Sequence, residues 1–131
     1  MNPTETPIEP TAFVNVQVVA IPKVDPATGN VTYQTTFHPP AIVVKKRDTV
    51  INYQIVSPTP VGVEFFAMTV VPKHTHHQLS EPSVSQSGKL ITFSNANTVK
   101  EKMNITLHFL DNDKTIFNVD PEIINEPEPA L

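Results

Sequence analysis

A chain of 131 residues, with Lys+Arg 9 against Asp+Glu 13, is long enough for one domain with a real hydrophobic core. Its mildly acidic balance lacks the basic stripe of a nucleic-acid-binding protein. It has no cysteine, which excludes disulfide scaffolds, thiol catalysis and thiolate metal centres.

The start, MNPTETPIEPTAF, is acidic and proline-rich and lacks the cationic-then-apolar pattern of a secretory leader. No stretch approaches the roughly 20 apolar residues of a membrane helix. A cytoplasmic location is therefore expected, with neither membrane nor nucleic acid as partner. Residues 1–10 read as a mobile lead-in. Asn30-Val-Thr32 and Asn104-Ile-Thr106 match the glycosylation pattern, which has no bearing on a chain without a leader.

From there strand-like runs follow one another: Ala12–Ile21, Val31–Phe37, Ala41–Val44, Thr49–Val56, Val61–Val71, Leu90–Ser94, Met103–Leu110 and Thr115–Val119. β-branched residues suit a pleated, half-buried surface, and 14 prolines against 3 glycines would break helices every few turns. In the first run Phe13, Asn15 and Gln17 alternate with Val14, Val16 and Val18. Asp25-Pro-Ala-Thr-Gly29-Asn30 then forms a turn, with proline pre-setting φ and glycine free to take positive φ. Near the end, Met103, Ile105, Leu107 and Phe109 alternate with Asn104, Thr106, His108 and Leu110, and Asp111–Lys114 is a polar turn into the last run. The pattern predicts an all-β chain, a single antiparallel β-sandwich domain over 1–131. The tail after Val119 carries four acidic side chains, three prolines and the pair Ile123-Ile124. It reads as an extended segment docked as an edge strand, where proline is tolerated.

Chemistry concentrates at Asp120-Pro121. An aspartyl carboxyl can attack its own main-chain carbonyl, closing a five-membered ring and expelling the basic proline nitrogen. A fold accelerates this by holding the carboxyl near attack and placing an acid beside the departing nitrogen. The dipeptide alone is an ordinary turn element, as at Asp25-Pro26. Pairing about the 111–114 turn brings Lys102 level with residues 120–123, a neighbour of Asp120 that makes either an ion pair or an amine nucleophile. On an unbroken strand Glu64 shares a face with Gly62, Phe66, Met68 and Val70, where burial would raise its pKa and suit acid–base work. Otherwise it is a plain surface residue. Glu101, Asp111, Asp113 and His108 are lesser candidates. His74 and His76 could share a divalent ion, but two ligands without a third favour a solvated loop. No metal or cofactor is expected.

The ending VDPEIINEPEPAL, with Asp120-Pro121-Glu122 followed by Glu126-Pro127, resembles the DP-EP family of small bacterial β-sandwich proteins. The resemblance implies a self-cleaving, self-assembling endopeptidase that cuts the Asp120–Pro121 bond and keeps residues 121–131 in the sandwich. It also implies a lysine joined covalently to the cleavage aspartate, here Lys102 to Asp120, and a homo-oligomer. The rival expectation is a non-catalytic assembly module whose proline-rich tail adds a strand to a neighbouring subunit.

Overall fold

The computed structural model describes residues 9–71 and 77–129, and among them there is no helix. Ten strands are present. They are β1 (Phe13–Val24), β2 (Val31–His38), β3 (Ala41–Val44), β4 (Thr49–Ile55), β5 (Glu64–Val71), β6 (Ser83–Val84), β7 (Leu90–Asn95), β8 (Glu101–Leu110), β9 (Ile116–Val119) and β10 (Glu122–Asn125). One sheet runs β2-β1-β4-β7-β6, and the other β3-β10-β8-β5, with β9 also on β8. The all-β sandwich expected from the alternation is observed. Residues 1–8 of the expected mobile lead-in at 1–10, and His74 and His76, lie outside the described residues.

Alternation decides what goes inside. Val16 and Val18 of β1, Ile51 and Tyr53 of β4, and Ile91 and Phe93 of β7 face Ile42, Val44, Phe65, Ile123 and the odd-numbered residues 103–109 of β8 across the interface. Their partners Phe13, Asn15 and Gln17 are exposed, as period-two geometry requires. The first turn also forms as read. Asp25 Oδ1 accepts from the Ala27 N–H at 2.9 Å, and Gly29 takes φ +75°, a left-handed conformation that glycine adopts without steric cost. Pro22 does not end β1, because past Val18 the strand pairs with β2 alone and a missing N–H leaves no gap on the other side.

Three features depart from the sequence reading. Both sheets are mixed, since β1 pairs β4 in parallel and β10 pairs β3 in parallel. β5 carries a bulge between Phe65 and Ala67. The extra residue shifts the alternation, so Glu64 and Phe66 point outward while Met68 and Val70 pack against the core. Lastly, the C-terminal segment is not an edge strand. β10 lies between β3 and β8, because Ile123 and Asn125, both 0 % exposed, find their burial only inside the sheet.

Candidate functional site: the Asp120–Pro121 junction

Two short strands here are one strand with an interruption. β9 pairs β8 from Leu110↔Ile116 to Leu107↔Val119, and β10 pairs the same strand from Asn104↔Glu122 to Glu101↔Asn125. The register is continuous, so Asp120 and Pro121 fall opposite Thr106 and Ile105. The Ile105 N–H donates to the Pro121 carbonyl at 3.2 Å. The return bond is missing, because the Ile105 carbonyl meets a proline nitrogen without hydrogen. That missing bond is what splits the strand.

Carbonyls alternate in direction along a strand. As the Pro121 carbonyl points to β8, the Asp120 carbonyl points away from it, past the start of β3. Continuing the parallel register of β3 and β10 would bring Pro39 and Pro40 to the level of Asp120 and Pro121. Neither proline has an N–H to offer that carbonyl. The Asp120 side chain is exposed on the outer face of the sheet, whereas Pro121 is buried. The bond thus joins a solvent-facing acid to a buried proline.

The other expected site residues are spread along the same outer face. Lys102 stands opposite Ile124, one step beyond the expected span of 120–123. Its ammonium lies 3.5 Å from Glu122 Oε2, so its ion partner is the acid two residues past Asp120. Four register steps separate Lys102 from the level of Asp120, about 13 Å along the strand. Glu64 pairs with Leu110 on the far edge of β8, four steps from Thr106 in the other direction, and its side chain is exposed. The expected apolar enclosure is absent because the bulge turns Met68 and Val70 inward. The Glu64 stem packs over Gly88, where an added Cβ would sit 2.8 Å from its carbons.

Nearer to Asp120 is His108, which the sequence offered only as a minor candidate. Its Nδ1 lies 2.7 Å from Asn118 Oδ1 and its Nε2 lies 3.2 Å from Thr69 Oγ1. The Asn118 oxygen can only accept, so Nδ1 donates to it, while Nε2 faces the Thr69 hydroxyl. Asn118 is two residues before Asp120 on the same face, and His108 is diagonal to Asp120 across the ladder, within reach of a long side chain. Asp111, another minor candidate, organises the preceding turn. Its Oδ1 accepts from the Asp113 and Thr115 N–H groups, both at 2.9 Å, and its Oδ2 accepts from the Tyr33 hydroxyl at 2.7 Å. The Tyr33 bond, helped by those amides, lowers the Asp111 pKa. Burial first, and the same bond second, push Tyr33 up to about 12.

On the inner face the segment after the junction is fastened by a contact that sequence reasoning missed. Asn95 of β7 and Asn125 of β10 are each 0 % exposed and bond reciprocally across the two sheets. The Asn95 amide donates to Asn125 Oδ1 at 2.7 Å, and the Asn125 amide donates to Asn95 Oδ1 at 3.1 Å. The available signal was parity: Asn125 shares its strand face with Ile123.

A family model described as the DP-EP family matches residues 11–127. No curated protein matches the chain.

Proposed function

The chain belongs to the DP-EP family, and from that premise we propose that it is a self-cleaving endopeptidase of aspartic character that cuts its own Asp120–Pro121 bond once. The observation that carries this reading is the junction's place in the fold. It is a proline-made break in a continuous register, with an exposed carboxyl on one side and a buried proline on the other.

In the proposed reaction an Asp120 carboxylate oxygen attacks the Asp120 main-chain carbon, forming a cyclic anhydride as the C–N bond breaks. The proline nitrogen leaves with a proton taken from water or a neighbouring acid. Water then opens the anhydride and leaves Asp120 as a new C-terminus. A lysine amine opening it instead gives an amide and one free carboxylate. Pro121, Ile123 and Asn125 keep the product segment seated, so turnover on other substrates is not part of the proposal.

Lys102 fits the amine role only between copies. About 13 Å of strand separates it from the level of its own Asp120, more than an extended lysine and an aspartate can span together. A Lys102–Asp120 link therefore joins two chains, and the homo-oligomer and the link are one proposal. The rival module, whose tail adds to a neighbour, would need β10 to vacate a place where it is paired on both sides.

Intact mass of the purified, denatured protein tests the reading. Fragments 1–120 and 121–131 are expected, and one uncut mass after prolonged incubation would sink the proposal.

A further inference from the structure

The slot that β10 fills has features of a peptide-binding site with a defined selectivity. Its two walls are β3 and β8, which supply main-chain pairing on both sides. Beyond the strand the Glu126 N–H still donates to the Val44 carbonyl at 2.8 Å. Main-chain pairing of this kind supplies affinity and is indifferent to sequence, so selectivity must come from the side chains that alternate into the core. Those are Pro121, Ile123 and Asn125. The first two meet apolar surroundings that many residues would satisfy. Asn125 meets Asn95 and little else that could replace it.

The chemistry around that position favours an amide over its isostere. Asn95 Oδ1 already accepts from the Asn97 N–H at 3.0 Å as well as from Asn125. Two further oxygens, Asn97 Oδ1 and Glu101 Oε2, are buried without a hydrogen-bond partner among the described residues, and Glu101 is the residue paired with Asn125 on β8. A donor at position 125 is welcome among these acceptors. A carboxylate there would present a charge to the Glu101 carboxylate and lose the donated bond. Leucine would leave the buried Asn95 amide unsatisfied. A one-residue slip would bring Ile124 or Glu126 to this place, so the amide pair also sets register.

We propose that the space between β3 and β8 is a peptide-binding site for an extended segment of the pattern Pro-x-Ile-x-Asn, and that Asn95 is the residue that selects the asparagine. Its occupant is the chain's own C-terminal segment. Once that segment is severed, the same segment of another copy can replace it. The site and its selectivity rest on the position of β10 in the sheet, and the exchange between copies rests also on the proposed cleavage.

The test makes the strand exchangeable without self-cleavage. A full-length Asp120→Asn chain with a protease site inserted between Asp113 and Lys114 is cut there, and the fragment from 114 onward is exchanged against labelled synthetic peptides of the same span that also carry Asp120→Asn. Peptides carrying Asn125→Asp or Asn125→Leu should bind at least about tenfold more weakly than the parent peptide. On a chain carrying Asn95→Leu the preference should reverse, with the Asn125→Leu peptide bound at least as well as the parent. Equal binding of the three peptides, or an unchanged preference on the Asn95→Leu chain, overturns the proposal. If the nicked chain is not recovered folded, intact Asn125→Asp and Asn125→Leu chains are compared by hydrogen exchange at residues 122–126. Exchange about tenfold faster than the parent supports the proposal, and parental protection overturns it. Intact mass reports self-cleavage separately, so the two readings fail independently.

Discussion

Asp–Pro occurs twice in this chain, at 25–26 and at 120–121, and the two junctions differ in everything but composition. Asp25 opens an exposed hairpin turn. Its carboxyl is occupied by the Ala27 N–H and its carbonyl by the Gly29 N–H at 2.7 Å. Pro26 is exposed. Asp120 has its carbonyl turned away from the one strand that pairs there, and its proline is fixed by burial. The contrast shows that a labile dipeptide becomes a candidate site through what its neighbours withhold from it. The turn gives the aspartate's carboxyl and carbonyl protein partners, whereas among the described residues the ladder gives those of Asp120 none and buries the proline.

The largest effect expected from this comparison is all-or-none. Asp120→Asn should leave a single uncut mass, while Asp25→Asn should cut like the parent. In denaturing acid the parent chain should be cut at both junctions at comparable rates, because only the fold distinguishes them. Fragments ending at Asp25 in native buffer would break the comparison. Next in size is the anchor. Ile123→Ala should lower stability by about 2–5 kcal/mol, measured by denaturant unfolding, and should slow cleavage if a fixed Pro121 matters. Lys102→Ala should abolish any dimer that survives denaturing electrophoresis yet leave fragments 1–120 and 121–131. Its stability cost should be at most about 1 kcal/mol, since the lysine of the Glu122 pair is largely exposed.

The smallest effect concerns the turn that launches β9. Asp111 has a lowered folded pKa, so its contribution to stability is present above its unfolded value. That contribution is lost as pH falls below about 4 toward the folded value. Asp111→Asn should therefore lower stability at neutral pH and flatten the acid limb of a stability–pH curve, the two curves converging below the folded pKa. An unchanged acid limb would show that the Tyr33 bond does not shape this turn.

Much of the fold was legible because alternation is a local signal. The eight runs expected from the pattern all contain strands, and the inward residues of β8 are those that the alternation named. Edges and partners were less legible. That Ile123 and Ile124 needed company was clear, but a parallel neighbour from residues 41–44 depends on where a distant chain segment returns. Glu64 could be read either as a buried acid or as a plain surface residue, and the pattern could not choose because a bulge is invisible where regular spacing is assumed. At the candidate site the Asp120–Pro121 bond was legible, and the placement of Lys102 was off by one register step because a four-residue turn does not define its own centre. The Asn95–Asn125 pair escaped notice because a buried amide and a surface amide look alike until a partner arrives from the other sheet.

The continuous register of β9 and β10 has a mechanical consequence. Severing the backbone between 120 and 121 removes no ladder bond, so the load once carried by a covalent strand passes to its lateral neighbours. An axial pull on the C-terminal segment then acts on its bonds to β3 and β8 in shear, all at once, rather than peeling them one by one. The buried asparagine resists like a bolt set across the direction of slip. A cut chain built this way would be chemically two pieces and mechanically one.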